Sequence, residues 1–293
     1  MNHHLCVARV VNRRSVGGYW DARRAGESLP DCQRGVGLIE MMIVMVIGLL
    51  LVGAVGSLYL NFKKTYRIQK SQTDFQDSFR YTGTLLTGIL RQAGYASMQV
   101  NGTMLVSKAD VFRPNAVGSG NFTAAEQVVY GQQSTFANVT RYNLDGSTSS
   151  MVALPRDSIS IRFMGGTGIY RCLGRQANLD GVQYSATFRV NGNHELECVD
   201  EVVAGAPVER DTDSLVGNAQ GPRNSQLRVL GMSVWYGEDS SGNGSVDQYR
   251  RAAAVTDWTR VRSARIDFTV QAGELAPKTF SYAVYFRNAP EAG

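Results

Sequence analysis

An uninterrupted run of apolar residues dominates the N-terminal part of the chain. It covers residues 36–60, which is 25 positions with a single charged side chain, Glu40. An α-helix of about 20 apolar residues is long enough to cross the hydrocarbon core of a bilayer. A lone carboxylate in such a segment costs roughly 2.5–3.5 kcal/mol on insertion scales. The pattern therefore predicts a membrane-spanning helix in which Glu40 has a function and a partner.

Helical periodicity continues beyond the apolar run. No proline interrupts residues 31–113, Phe75 and Phe79 are spaced i, i+4, and an apolar stripe continues toward Gly94. Glycine is a typical residue just after a helix end. We predict one helix over residues 36–93, apolar on all sides in its first half and amphipathic in its second. The second half is expected to pack against the rest of the chain.

After Tyr95 the pattern changes to short β-like runs between clusters of Gly, Asn, Ser and Asp. The predicted strands are residues 127–130, 158–164, 184–190, 195–199, 227–236, 263–270 and 279–287. Asn191-Gly192-Asn193 predicts a hairpin loop, and three further surface loops are predicted at 114–125, 143–151 and 204–226. A helix followed by strands predicts an α+β fold in which the helix packs on an antiparallel sheet.

The start of the apolar run carries a sequence motif. The chain reads Arg-Gly-Val-Gly-Leu-Ile-Glu up to Glu40, which resembles the Gly-Phe-Thr-Leu-Ile-Glu signature of type IV prepilins and pseudopilins. Gly35 stands where prepilin peptidase cuts, and Val36 replaces the usual Phe at the first mature position. The resemblance implies cleavage between Gly35 and Val36, N-methylation of Val36, and a role for Glu40 in subunit assembly.

Two other interpretations of the apolar run remain open. A secretory signal peptide could use residues 41–53 as its apolar core and Ala54-Val55-Gly56 as its cleavage site. An ordinary single-pass anchor would also account for the run. Neither gives Glu40 a role, and the prepilin interpretation is favoured for that reason.

The prepilin resemblance divides the chain into a leader that is removed (1–35), the helix (36–93, transmembrane over 36–60) and a β-rich head (94–293). The leader is longer than in type IVa relatives, and initiation at Leu29 would leave a short one. Basic residues flank both ends of the apolar run, so charge alone does not set its orientation. The family implies a single pass through the inner membrane with a cytoplasmic leader and a periplasmic head, and later a place in the extracellular pilus.

Net charge does not indicate a nucleic-acid partner. The full chain carries +5, but six arginines and three acidic residues lie in the leader, so the mature chain carries only +2. The head has no basic stripe with interleaved aromatic residues. We therefore predict no nucleic-acid binding.

Removal of the leader leaves two cysteines, Cys172 and Cys198, and one histidine, His194. An even cysteine pair in an exported chain predicts one disulfide. A single histidine leaves a zinc site short of ligands. The sequence has no nucleophile elbow, phosphate loop or metal-binding histidine pair, so we predict that the protein is not an enzyme.

The head resembles the PilW family of minor pilins. The motifs that carry this resemblance are Leu90-Arg91-Gln92-Ala93-Gly94-Tyr95, Asp157-Ser158-Ile159-Ser160-Ile161-Arg162-Phe163, Cys172-Leu173-Gly174, Leu196-Glu197-Cys198, Trp258 with Val261, and Tyr285-Phe286-Arg287-Asn288. The resemblance implies a minor pilin that helps to initiate type IV pilus assembly within a tip complex, for twitching motility or cell adhesion. Its implied partners are prepilin peptidase, other minor pilins, the major pilin and a tip adhesin.

Two alternative functions compete with this one. They are a large minor pseudopilin of a type II secretion system and a single-pass anchored periplasmic binding module. The cysteine pair and the Arg287-Asn288 ending favour the pilin over the pseudopilin. The anchored module requires neither Gly35 nor Glu40.

One loop of the head resembles a calcium loop. Oxygen-bearing side chains alternate at Asp239, Ser241, Asn243 and Asp247, with a glycine at the sharp turn. The glutamate expected at loop position 12 is replaced by Arg250. A polar hairpin loop without a metal is therefore favoured over a weak Ca²⁺ site, and no other cofactor is predicted.

Overall fold

The computed structural model describes residues 37–96, 112, 122–134, 137–142, 148–172, 174–177, 182–203, 209–217, 227–273 and 275–288. The chain divides into two compact units, residues 1–58 and 59–293. The first unit contains the apolar start of a long helix. The second contains the remainder of this helix and the β-strands.

The long helix, α1, is Leu38–Leu90 and has 53 residues. Its side chains are exposed over the apolar stretch, and buried residues begin only at Phe75. This division confirms the predicted change from an all-round apolar helix to an amphipathic one. The predicted C-terminal end at Ala93 is slightly too late, because residues 91–94 form a turn. The predicted start at Val36 lies outside the described residues.

The strands described in the second unit follow α1 in the chain and are 3 to 12 residues long. They are β1 Val129–Gln132, β2 Ala137–Tyr142, β3 Thr148–Leu154, β4 Ser158–Met164, β5 Gln183–Val190, β6 Leu196–Val203, β7 Glu209–Val216, β8 Leu227–Glu238, β9 Gln248–Arg250, β10 Val261–Ala272 and β11 Lys278–Tyr285. Short 3₁₀ turns at Ala252–Ala254 and Trp258–Arg260 precede β10. The predicted α+β class is confirmed.

These strands form three antiparallel sheets rather than the single sheet that the sequence predicted. One sheet has the order β1-β4-β5-β6-β7, the second has the order β11-β10-β8-β9, and β2 pairs with β3. The predicted hairpin at Asn191 joins β5 to β6, where the Asn191 side-chain oxygen accepts hydrogen bonds from the backbone N–H groups of Asn193 and Glu195.

Two of the predicted surface loops contain strands. The prediction of a loop over 204–226 is wrong because β7 lies within it, and the loop over 143–151 is wrong at its end because β3 begins at Thr148. Strand β7 is charged, with Arg210 paired to Glu201 and Asp211 to Arg175. An edge strand with charged side chains lacks the apolar alternation that identifies a strand. The predicted loop over 114–125 lies mostly outside the described residues.

The amphipathic half of α1 packs on the sheet of β8 to β11 through aromatic side chains. The Phe280 ring lies 4.5 Å from that of Phe79 and 5.2 Å from that of Phe75, measured between centroids. The Tyr282 hydroxyl donates a hydrogen bond of 2.8 Å to the backbone oxygen of Phe79. Gly83 permits this approach, because a Cβ there would lie 2.2 Å from the Tyr282 ring.

The segment after α1 is bonded to β4 at Gly94, and there it also approaches the chain that follows β11. Its N–H donates to the Arg162 backbone oxygen on β4 at 2.9 Å, and its φ is +73°. A Cβ at Gly94 would lie 2.4 Å from the backbone oxygen of Asn288, just after β11. Only glycine combines this φ with this close approach.

We predict that Gly94→Ala lowers the free energy of unfolding by about 2–3 kcal/mol, because it adds left-handed backbone strain to a steric clash. The matched control is Gly88→Ala, on an exposed face of α1 with no atom within 4 Å of the new Cβ. This control should stabilise the protein by up to about 1 kcal/mol. Urea titration of both variants measures the difference, and equal effects would contradict the role of Gly94.

Candidate functional site

The candidate assembly site lies at the start of α1. Gly37 precedes the helix, and its backbone oxygen accepts hydrogen bonds from the N–H groups of Glu40 and Met41 at 3.0 and 3.2 Å. Glu40 is therefore in the first helical turn, where the helix dipole favours a negative charge. Its side chain is exposed. Gly35 and Val36 lie outside the described residues, so the predicted cleavage and methylation positions stay predictions from the motif.

The first half of α1 is long and apolar enough to cross a membrane, and none of its most apolar 18-residue stretch is buried in the protein. Large apolar side chains are exposed on every face of this half, for example Leu49 at 74% and Val52 at 71%. Burying a large apolar side chain contributes about 1.5–3 kcal/mol. A membrane or a bundle of other helices is the kind of environment that supplies this burial.

The predicted disulfide is present in the head. Cys172 and Cys198 are bonded, with their Cα atoms 6.3 Å apart, and both are fully buried. The bond joins the segment between β4 and β5 to the interior strand β6. It also lies beside a buried ion pair that the sequence interpretation missed, in which the Arg171 Nε donates to an Asp200 oxygen at 2.7 Å. Burial raises the pKa of the Asp200 carboxyl to about 6, although the Arg171 charge opposes the shift.

Two charged residues of the PilW-like motif on β4 support the core of the head. Arg162 is fully buried, and its guanidinium lies 5.0 Å from the Phe112 ring centroid and 4.9 Å from that of Phe122. Burial lowers the pKa of Arg162 to about 10. Asp157 accepts hydrogen bonds from the Val234 N–H at 2.9 Å and from Arg251 at 2.5 Å. These contacts join the motif to Phe112 and Phe122 and to β8 of the other large sheet, and they give the motif a structural role.

Trp258, another residue of the PilW-like set, also packs in the head. Its ring centroid lies 4.8 Å from that of Tyr236 and 5.3 Å from that of Tyr130. The aromatic cluster thus joins β8 to β1, which belong to different sheets. Val261, which follows Trp258 in the motif, is buried at the start of β10.

The calcium-like loop connects β8 to β9, and its carboxylates are bonded within the protein. One oxygen of Asp239 accepts from the N–H groups of Gly242 and Asn243, at 2.7 and 3.0 Å. The other accepts from the Gly244 N–H at 2.8 Å and faces the Arg262 guanidinium at 3.4 Å. These backbone donors lower the pKa of Asp239 against the opposing effect of burial.

The second carboxylate of this loop, Asp247, accepts from the Ser241 N–H and the Ser240 hydroxyl at 2.7 and 3.0 Å. Within the described residues, no group of three His, Cys, Asp or Glu side chains is arranged to hold a metal ion. The hydrogen bonds and Arg262 support the hairpin interpretation of the loop. Calcium binding through Asp239, Ser241, Asn243 and Asp247 stays an untested prediction of the sequence pattern.

Two family models match this chain. Residues 190–286 match PilW, described as Type IV Pilus-assembly protein W, and residues 31–56 match the prokaryotic N-terminal methylation motif. The resemblance to the PilW family is confirmed. No curated protein and no solved structure matches the chain significantly.

Each match falls on a part of the chain described above. The methylation motif covers Gly35, Val36, Glu40 and the start of α1, and the PilW match covers β6 to β11 with Cys198. Both support a pilin related to type IV pili, which is a structural class of protein rather than an enzyme class. They imply interaction with prepilin peptidase and other pilins, and the apolar helix fits a membrane-anchored pilin.

We predict that Cys172→Ala or Cys198→Ala lowers the free energy of unfolding by about 3–4 kcal/mol, because the bond closes a loop with a sequence separation of 26 residues. The double variant is the control, and it should cost no more than either single one because each already removes the bond. Chemical denaturation gives the values, and non-reducing peptide mapping checks the bond in periplasmic protein. Two free thiols in the wild type would contradict the pairing.

For the Asp239 loop we expect no rise in melting temperature when several millimolar calcium is added, because its own amides and Arg262 occupy the carboxylate oxygens. The measurement is thermal unfolding of the purified chain in detergent, with magnesium as the control cation. A rise that is specific for calcium and lost in Asp247→Asn would establish the calcium site and refute the hairpin interpretation.

Proposed function

We propose that this chain is a minor pilin that helps to initiate type IV pilus assembly, within a tip complex that contains other minor pilins and an adhesin. Prepilin peptidase would cleave it after Gly35, and the new amine of Val36 would be methylated. The observation that carries the proposal is the exposed apolar half of α1 with Glu40 in its first turn, within the methylation-motif match.

Cleavage and assembly are coupled in this proposal through a charge pair. Processing frees an α-amine at Val36, and such an amine is largely cationic near neutral pH. In a bundle of apolar helices, the Glu40 carboxylate and this amine would each be costly to bury alone. Pairing between the carboxylate of one subunit and the amine of its neighbour offsets much of that cost. An unprocessed subunit has no amine at this position and would assemble poorly.

The PilW match favours a pilus over a secretion system as the site of action. It covers residues 190–286, which form about half of the β-rich head. The head also holds α1 in place, because Tyr282 and Phe280 of β11 contact the amphipathic half of the helix. We propose the inner membrane as the location of the processed subunit before it enters the pilus.

We predict that Glu40→Ala is inserted into the membrane and cleaved normally, because loss of a charge makes the apolar segment more favourable in lipid. The variant should enter filaments poorly and accumulate as processed subunit in the inner membrane, with fewer surface pili. Immunoblots of sheared filaments and membrane fractions measure both effects.

The matched control for this experiment is Asp77→Ala, which removes an exposed carboxylate from the second half of the same helix. It should leave piliation unchanged. Normal piliation with normal incorporation of the Glu40→Ala subunit would refute the charge-pair mechanism.

A further inference from the structure

The turns of α1 that follow the apolar run carry two exposed stripes of different chemistry. Tyr59, Phe62 and Tyr66 are 65%, 70% and 67% exposed. Their i, i+3, i+7 spacing places them on one face of the helix. We call these three residues the aromatic stripe. Three large aromatic side chains on one water-exposed helix face are unfavourable unless another apolar phase covers them.

The second stripe is basic and lies on the adjacent face. Lys63, Arg67 and Lys70 follow each other at i, i+4, i+7, and Lys64 lies beside them. We call these four residues the basic stripe. All four are exposed, and among the described residues none of them has an ion-pair partner. Their charge is therefore not neutralised within the described part of the protein.

All charged residues in this region of the helix are basic. No acidic residue occurs between Glu40 and Asp74, so the helix carries four positive charges directly after its apolar stretch. In membrane proteins, basic residues concentrate on the cytoplasmic side. Four on the opposite side, where the prepilin topology places them, are unusual for an ordinary anchor. Such a cluster attracts negatively charged groups close to the membrane surface.

We propose that the basic stripe binds the headgroups of anionic phospholipids in the outer leaflet of the inner membrane, while the aromatic stripe lies at the boundary between headgroups and acyl chains. Aromatic side chains concentrate at that boundary, and basic ones attract anionic lipids there. The apolar stems of lysine and arginine can lie along the lipid while their charges reach the headgroups. The proposal rests on the proposed membrane topology. The partner that it names is a lipid and not a protein of the pilus.

Anionic lipid explains the two stripes better than an acidic surface on a neighbouring subunit. A protein partner would account for the basic stripe with an acidic surface, but it would need a separate apolar surface beside it to cover the aromatic stripe. A lipid headgroup layer accounts for both, and also for their position directly after residues 36–60. Binding of this kind would hold the processed subunit in the membrane at a fixed depth until it is extracted into a filament.

The test uses the purified mature chain, residues 36–293, so that the arginines of the leader do not contribute. It is reconstituted into phospholipid bilayers that contain spin-labelled phosphatidylglycerol or spin-labelled phosphatidylcholine. Electron paramagnetic resonance gives the association of each labelled lipid with the protein. At low salt the wild type should show a several-fold preference for phosphatidylglycerol. The preference should fall toward equality at about 1 M salt, where the Debye length is only about 3 Å.

A variant with Lys63→Gln, Lys64→Gln, Arg67→Gln and Lys70→Gln should lose the preference while it remains inserted. The matched control removes four exposed basic residues farther along the chain, Arg80→Gln, Arg91→Gln, Lys278→Gln and Arg287→Gln, and should keep it. Equal association of the two lipids with the wild type, or a preference that survives in the four-residue variant, would overturn the proposal.

This readout is independent of pilus assembly, so failure of the minor-pilin proposal would leave it unaffected. If the wild type shows no lipid preference while the four-residue variant is excluded from filaments, the basic stripe contacts a neighbouring subunit and the lipid proposal is wrong.

Discussion

The apolar first half of α1 is the constraint on which the rest of this protein depends. Its side chains are exposed on every face, and burial of each large one is worth about 1.5–3 kcal/mol. The apolar segment is therefore stable only in a membrane or among other helices of the same kind. In either environment an unpaired Glu40 carboxylate is costly, because a charge in an apolar helix requires a partner of opposite charge.

The β-rich head contacts the second half of α1 and the segment that follows it. The second half of α1 is fixed by the Phe75, Phe79 and Phe280 rings and by the hydroxyl of Tyr282. Its end is fixed by Gly94, whose backbone bonds to β4. Within the head, the disulfide joins the segment that contains Cys172 to Cys198 of β6. These contacts fix the amphipathic half of the helix to the head.

The helix, the fold class and the disulfide could be predicted because each leaves a local signal in the sequence. The periodicity of α1 is continuous, and the glycine at its end is in the left-handed conformation that a helix stop requires. The cysteine pair was predictable by count once the leader was removed. The functional motif around Gly35 and Glu40 was likewise predictable from a few adjacent residues, and the methylation-motif match agrees with it.

The remaining features depend on contacts between distant residues. Strand β7 was missed because its charges pair with residues of other segments, such as Glu201, rather than following an apolar alternation. The buried state of Arg162 depends on the rings of Phe112 and Phe122, which lie far from it in the chain. The division into separate sheets was also not predictable, since short strands of similar pattern do not specify their neighbours.

The central claim is that processing after Gly35 creates the amine that Glu40 needs in the assembled state. The most direct measurement is the N-terminal sequence and intact mass of the subunit recovered from the inner membrane of cells that contain prepilin peptidase. This account predicts a mature chain that begins at N-methylated Val36. A mature chain that begins at Ser57, as after an ordinary signal peptide, or one that keeps its leader, would contradict it.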